Sequence, residues 1–135
     1  MLGEEHPETL TTLGNLAVTY NELGDYKKAL ELLKKVYSLL SKVLGEEHPE
    51  TLTTLSNLAY TYVELGDHKR ALELNEKAYA LRCQALGEEH PETLTTLSNL
   101  GYTYGKLGDH KRALELKRKR MPWAARRSAR SIPKR

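Results

Sequence analysis

The chain has 135 residues, enough for one ordinary domain, and its single cysteine, Cys83, excludes an internal disulfide bond and a thiolate metal cage. The sequence contains no run of about 18 apolar residues and no basic N-terminal segment followed by an apolar stretch, which argues against a transmembrane helix and a signal peptide, so we expect a cytoplasmic protein. The formal net charge of +3 is unevenly distributed, because residues 1–116 carry 12 basic and 18 acidic residues (12 − 18 = −6) whereas residues 117–135 carry nine basic residues and no acidic one.

An internal repeat organises the chain. The stretch LGEEHPETL at Leu2–Leu10 recurs at Leu44–Leu52 and at Leu86–Leu94, with a period of 42 residues. Residues 2–43 and 44–85 share 29 of 42 positions, and residues 44–74 and 86–116 share 28 of 31. Such self-similarity is typical of a solenoid, in which each unit buries its apolar face only against its neighbours.

Each unit contains two predicted helices. In the second unit, apolar residues recur at helical spacing after Pro49, which suits a first helical turn, and the pattern ends before Gly66. A second helical pattern begins after the short turn that follows and continues to about Ala85, before Gly87. The sequence therefore predicts an all-α fold, an α-solenoid of antiparallel helix hairpins with about two and a half to three repeats.

Four segments follow from this pattern. We expect repeat 1 at residues 1–43, repeat 2 at residues 44–85 and repeat 3 at residues 86–120, with an incomplete second helix in repeat 3. The remaining segment, residues 121–135, is basic and follows no repeat pattern, so we predict that it is disordered.

The LGEEHPETL stretch is interpreted as the joint between consecutive hairpins, since it combines a glycine stop, an acidic turn and a proline start. His6, His48 and His90 occur once in each joint, and an alternative interpretation is a row of metal ligands or pH sensors. Stacked hairpins would hold these side chains about 10 Å apart, which is too far for one ion, so the structural interpretation is favoured.

The repeat resembles the tetratricopeptide repeat, a helix–turn–helix unit with a pattern of large apolar, Leu, small, Tyr, Ala and large apolar residues. The matching residues of the three units are Leu13, Leu16, Ala17, Tyr20, Gly24, Tyr26, Ala29 and Leu33; Leu55, Leu58, Ala59, Tyr62, Gly66, His68 and Ala71; and Leu97, Leu100, Gly101, Tyr104, Gly108, His110 and Ala113. The 42-residue period, the NLA triplet and the joint are similar to the kinesin light chain subclass rather than to the usual unit of about 34 residues. The chain departs from that pattern at Asn75, where a large apolar residue is expected, and after Leu116.

The resemblance implies a non-catalytic interaction module that binds an extended peptide on a concave face formed by the first helix of each repeat. In the resembled family an asparagine of this helix contacts the peptide backbone, which carries over to Asn15, Asn57 and Asn99. Further candidate peptide-binding residues on the same helices are Val18, Tyr60, Tyr102, Asn21, Glu22, Glu64 and Lys106. Two alternatives remain for the asparagine row, namely inheritance through duplication and hydrogen bonding to a neighbouring helix.

Other binding chemistries find little support in the sequence. The lysines with which some tetratricopeptide domains hold a terminal carboxylate are replaced by Gly14, Ser56 and Ser98, which argues against an acidic chaperone C-terminus as the partner. No Gly-rich phosphate loop, HExxH or CxxC motif is present, so we predict no enzyme activity, no metal and no cofactor.

The expected partner is a protein or peptide, and two further interactions remain open. The basic residues 117–135, with Trp123, are compatible with nucleic acid or an anionic membrane, or with nuclear import, or form an incidental terminus. An uncapped apolar end around Leu10, Leu13 and Leu16 predicts marginal stability or self-association. The near-identity of the repeats also allows a consensus-like or shortened array without a native ligand.

Overall fold

The structure, a computed structural model, describes residue 3 and residues 5–120 and consists there of three consecutive helix hairpins. The hairpins are formed by α1 (Pro7–Glu22) with α2 (Tyr26–Val43), α3 (Pro49–Glu64) with α4 (His68–Leu86), and α5 (Pro91–Lys106) with α6 (His110–Arg120). The predicted all-α solenoid is confirmed. The predicted disorder of residues 121–135 lies outside the described residues.

The histidines of the joints cap the first helix of each hairpin. The Nδ1 atoms of His6, His48 and His90 accept a hydrogen bond from the backbone N–H two residues later, at 3.2, 3.2 and 3.1 Å. Proline follows each histidine at the start of the helix, where its missing N–H leaves no donor unpaired. Each imidazole therefore caps the N-terminus of the helix that follows it, as expected from the structural interpretation of the joint.

A glycine with positive φ closes the first helix of each hairpin. At Gly66 the φ angle is +89°, and the N–H of the next residue, Asp67, donates to the carbonyl of Tyr62 at 2.9 Å. A side chain at Gly66 would strain this left-handed backbone. Asp67 then caps α4, because its Oδ1 accepts from the N–H of Arg70 at 3.2 Å. The tight turn sets the two helices of the hairpin antiparallel.

The hairpins stack in one direction. The helices α2 and α4 each pack against the first helix of their own hairpin and against the first helix of the next one, and α6 packs against α5. The first helices α1, α3 and α5 also contact one another, whereas the second helices contact one another less. The array therefore curves with the first helices on its inner side.

Buried apolar side chains fill the space between the helices, and polar contacts, among them those of two buried asparagines, join neighbouring hairpins. Asn75, which is 2% exposed, donates from Nδ2 to Thr103 Oγ1 at 3.0 Å, and Thr61 Oγ1 donates to Asn21 Oδ1 at 3.0 Å. Asn75 thus occupies the expected apolar position because a threonine of the next hairpin satisfies its amide nitrogen.

The apolar end of the array differs from the sequence prediction in one residue. Leu10 is fully buried against Val36 and Leu40 of α2, so it does not belong to the exposed end. Leu13 is partly buried, and Leu16 is 44% exposed. The exposed apolar surface of α1 is therefore centred on Leu16.

Candidate functional site: the inner face of the first helices

The inner side of the array, formed by α1, α3 and α5, carries the predicted asparagine row and is called the groove face here. Between α1 and α3 it contains a groove of about 230 Å³. The lining includes Thr11, Asn15, Val18, Thr53 and Asn57, and the floor includes Leu40 of α2. Asn15, Val18 and Asn57 are thus brought to one site.

Between α3 and α5 the groove face is nearly closed. A cleft of about 20 Å³ lies between Ser56, Tyr60, Asn99 and Tyr102. A volume of this size has room for about one water molecule. The two tyrosine side chains, which are 45% and 46% exposed, cover the groove here, whereas Val18 leaves it open between α1 and α3.

The amides of the asparagine row have no side-chain hydrogen bond within residues 5–120. Asn15 is exposed, Asn57 and Asn99 are half-buried, and only their backbone carbonyls accept hydrogen bonds, from the threonines four residues later. An amide group both donates and accepts, as a peptide backbone does. The row therefore offers unused hydrogen-bonding capacity on the groove face.

Asn21, a further candidate on α1, is buried between helices and not exposed on the groove face. Its side chain is 9% exposed and accepts the hydrogen bond from Thr61 across the α1–α3 interface. It follows Asn15 by six residues, which turns its side chain about 120° away from the row around α1 and toward α3. The amide of Asn21 is therefore used in helix packing.

The remaining candidates lie toward the C-terminal ends of the first helices. Glu22 is exposed, and Glu64 Oε1 accepts a hydrogen bond from the Tyr102 hydroxyl at 3.3 Å. The Lys106 ammonium lies 5.3 Å from the centre of the Tyr102 ring, which is a cation–π distance. Partial burial, with the nearby Glu64 carboxylate as a smaller cause, raises the pKa of Tyr60 above 10.0, so its phenol remains a hydrogen-bond donor at neutral pH.

Arg82, which lies beneath the groove face, is a candidate residue that sequence reasoning missed. It lies on α4 and is 5% exposed, and its Nη1 donates to Ser56 Oγ at 3.3 Å and to Thr96 Oγ1 at 2.6 Å. Its buried Nε has no hydrogen-bond partner, and no acidic side chain of the described residues forms an ion pair with it. Burial lowers the pKa of the guanidinium, against a smaller opposite effect of the Glu92 carboxylate, and the group stays protonated at neutral pH.

Arg82 could have been identified by comparing the repeats, because the equivalent position in repeat 1 is apolar. Leu40 occupies the equivalent position in repeat 1 and forms part of the groove floor between α1 and α3. Arg82 therefore places a positive charge beneath the groove face between α3 and α5. A buried charge without an ionic partner is costly, and a ligand carboxylate would provide one.

Neither a metal site nor a membrane span is found in the part of the chain that the structure describes. Among the described residues, no three His, Cys, Asp or Glu side chains come close enough together to hold a metal ion. None of the described helices combines the length and the apolar character that a membrane span requires.

Comparisons with known proteins agree with this architecture. A sequence profile described as tetratricopeptide repeat matches residues 8–84 and 81–122, while a comparison with curated proteins gives no match. A solved structure of a protein from Podospora anserina, described as a candidate kinesin light chain with nearly identical TPR-like repeats, is 32% identical. It aligns with a TM-score of 0.80 over 96% of this chain and 61% of that one.

Two further solved structures are similar. BtubC (BKLC) from P. vanneervenii is 26% identical, with a TM-score of 0.79 over 98% of this chain and 53% of that one. The TPR domain of Arabidopsis FLU is 16% identical, with a TM-score of 0.72 over 89% of this chain and 95% of that one, and shows the fold alone. The chain thus spans little more than half the length of the first two proteins. With the profile covering most of its residues, the chain belongs to the tetratricopeptide repeat family and is of the kinesin light chain-like type.

Proposed function

We propose that the chain is a non-catalytic protein-interaction module that binds an extended peptide along the groove face. Tetratricopeptide repeats generally mediate protein–protein interactions, which supports the class of function. The observation that carries the proposal is the contrast among the asparagines. Asn21 and Asn75 are hydrogen-bonded between hairpins, whereas Asn15, Asn57 and Asn99 have no side-chain partner within residues 5–120.

The peptide backbone would lie over the asparagine row. The amide of each row asparagine can donate to a peptide carbonyl and accept from a peptide N–H. The open groove of about 230 Å³ between α1 and α3 suits a ligand side chain, with the apolar Leu40 and Val18 as contacts. Tyr60 and Tyr102 supply rigid contact area farther along the face.

The peptide would carry an acidic residue opposite Arg82. Thr96 is fully buried, so the carboxylate would approach Arg82 beside the half-buried Ser56 and would supply the ionic partner that the described residues do not give this guanidinium. Hydrogen bonds between a guanidinium and a carboxylate are stronger than those between neutral groups. The proposal therefore includes a preference for acidic peptides.

A peptide-library selection tests this proposal. The parent chain is compared with the variant Asn15→Ala/Asn57→Ala/Asn99→Ala and with a control, Lys27→Ala/Lys69→Ala/Lys111→Ala, which changes exposed equivalents on the second helices. We expect enriched peptides to contain an acidic residue, to bind the control like the parent, and to lose at least ten-fold in affinity on the asparagine variant. Equal binding to all three chains would overturn the proposal.

Salt dependence separates the groove from the basic residues 117–135. Binding at the groove face should weaken only modestly between about 50 and 200 mM salt, since it involves few ionic contacts. Binding of a nucleic acid through the basic residues should weaken steeply over the same range. A ligand that follows the steep dependence and ignores the asparagine variant would favour the second function.

Self-association is a second candidate, favoured by the exposure of Leu16. This residue is 44% exposed, whereas its equivalents Leu58 and Leu100 are 5% and 4% exposed. Association through α1 would cover it. Concentration-dependent light scattering that disappears in a Leu16→Glu variant would support this, and a strict monomer at every concentration would contradict it.

A further inference from the structure

The hairpin α5–α6 carries an apolar groove, called the end groove here, on the side facing away from α4. Its volume is about 460 Å³. The floor is apolar and the rim is basic, with Leu97, Ala113 and Leu116 in the floor and Lys106, Lys117 and Arg120 at the rim. In the described residues nothing covers this surface in the way that α5 covers α3 and α4.

The two preceding hairpins show what such a groove accepts. The surface of α1 and α2 is covered by α3, and the surface of α3 and α4 is covered by α5. In the second case Asn75 contacts Thr103 and Arg82 contacts Thr96, so α4 and α5 run antiparallel. Because the two helices are antiparallel, moving three residues forward along α4 from Asn75 corresponds to moving three residues back along α5 from Thr103. The same register therefore places Ala78 opposite Leu100. A groove of this type therefore holds one helix in a known register.

The end groove differs from its predecessors at the two positions that this register defines. Asn75 and Ala78 are 2% and 0% exposed, and their equivalents in α2, Leu33 and Val36, are fully buried. In α6 these positions are occupied by Lys117 and Arg120, which are both exposed.

The end groove is also wider near the C-terminus of α5. Gly105 replaces the buried Val63 of the preceding hairpin, and a methyl group added at Gly105 would meet no atom within 4 Å. The floor keeps the apolar character of the array, while the rim has gained two cations and additional space.

We propose that the end groove binds an amphipathic helix of a partner protein that carries two acidic side chains three residues apart. The partner helix would pack on α6 as α3 packs on α2 and as α5 packs on α4. Its two acidic side chains then occupy the positions of Leu58 and Thr61 in α3, where the first faces Arg120 and the second faces Lys117. Residues three apart lie on the same face of a helix, so both carboxylates can form ion pairs at once. The apolar residues of the same helix cover Leu97, Ala113 and Leu116.

Charge argues against two other occupants. A second copy of α1 would place Leu16 and Thr19 opposite Arg120 and Lys117, and would bury two cations without a counter-charge. Residues 121–135 contain five basic residues and no acidic one, so they repel the same rim. An acidic helix is the occupant whose charge complements the groove.

The probe is a labelled 16-residue peptide with the sequence of Pro49–Glu64 and the substitutions Leu58→Glu and Thr61→Glu. A helix of this length is marginal in water, so a hydrocarbon staple between positions 56 and 60, which face α5 and not the preceding hairpin in the parent chain, holds it helical. The stapled peptide without the two substitutions is the control. Fluorescence anisotropy measures binding of both peptides to the full chain.

The matched protein variant is Lys117→Asn/Arg120→Ala, which restores the residues of repeat 2 at exposed positions and should not disturb folding, as circular dichroism can check. We expect the acidic peptide to bind the parent chain at least ten-fold more tightly than the control peptide, with the difference shrinking at high salt. On the variant the preference should reverse. Equal affinities for the parent chain, or an unchanged preference on the variant, would overturn the proposal.

Two outcomes distinguish this site from the others. The variant Asn15→Ala/Asn57→Ala/Asn99→Ala should bind the acidic peptide as the parent does, and a loss of binding there would place the peptide on the groove face and overturn the proposal. Concentration-dependent association of the parent chain that competes with the peptide and is abolished by Leu16→Glu would identify a second copy as the occupant, and would also overturn it.

Discussion

The helices α1 and α3 have nearly the same sequence and very different surroundings. They share 13 of 16 residues, differing only at positions 14 and 56, 18 and 60, and 21 and 63. Yet α1 buries three residues, whereas α3 buries nine. Leu16 is 44% exposed while Leu58 is 5% exposed, because α3 has a hairpin on either side and α1 is covered on one side only.

This contrast shows that burial in the array is decided by neighbours more than by the sequence of a unit. In solenoids each repeat contacts only the adjacent ones, so stability is close to a sum of unit and interface terms. The same substitution should therefore have different effects in α1 and α3. Four predictions, from the largest expected effect to the smallest, test this comparison and its extension to other positions of the repeats.

The largest effect is expected for leucine-to-alanine substitutions in the two helices. Leu58→Ala should lower the free energy of unfolding by about 2–5 kcal/mol, because it leaves a cavity between packed helices. Leu16→Ala should cost about 1 kcal/mol or less, since its side chain is already partly in water. Urea denaturation measures both, and equal losses would show that burial does not differ as described.

A second prediction uses the different residues at positions 40 and 82. Arg82→Leu, which copies repeat 1, should raise the free energy of unfolding by about 1–3 kcal/mol, because it removes a buried cation without an ionic partner. Thr96 would keep its hydrogen bond to the Glu92 carbonyl, as Thr54 does with Glu50 beside Leu40.

The pH dependence of this gain follows from the pKa of Arg82. Burial lowers that pKa in the folded state, so the cost of the charge is present wherever the side chain is protonated, which includes neutral and acidic pH. The gain should therefore be the same at about pH 5 and about pH 7. A loss of stability in Arg82→Leu would mean that the bonds to Ser56 and Thr96 outweigh the cost of burial.

A smaller effect is expected at the helix caps. His48→Ala should cost about 0.5–2 kcal/mol, because it removes the acceptor for the Glu50 N–H at the start of α3. His48→Asn keeps a capping acceptor and should cost less than half as much. Thermal denaturation followed by circular dichroism compares them, and equal losses would assign the role of His48 to something other than capping.

The smallest effect is expected for the ion pair between Lys77 and Glu46, whose charged atoms are 2.8 Å apart. The two side chains are 43% and 53% exposed, so Lys77→Gln should cost less than about 1 kcal/mol. Denaturation in about 1 M salt should reduce the difference further, because salt screens exposed charges. A difference that persists at high salt would point to packing against Tyr37, over whose ring the ammonium lies.

The fold could be predicted from the sequence because its determinants are local and repeated. Apolar spacing, the prolines at helix starts and the glycines at helix ends each act within one or two turns, and three copies reinforce one another. The site was less predictable. The burial of Asn21 depends on its hydrogen bond with Thr61, 40 residues away, which the spacing within one helix does not reveal.

Arg82 shows a second limit. An arginine on a helix ordinarily extends into water, and only the packing of α3, α4 and α5 brings this one between Ser56 and Thr96. Leu10 shows the opposite departure from the sequence prediction. It was expected at the exposed end of the array, but α2 of its own hairpin buries it. Residues whose environment depends on a neighbouring hairpin require the structure.

The most direct test of peptide binding at the groove face is a nitrogen-15 NMR titration of the side-chain amides with a selected acidic peptide. The chain has five asparagines, three in the row and two, Asn21 and Asn75, buried between hairpins as internal controls. We predict that the amide signals of Asn15, Asn57 and Asn99 shift on binding while those of Asn21 and Asn75 do not. Binding that leaves the three row signals unchanged would contradict the account.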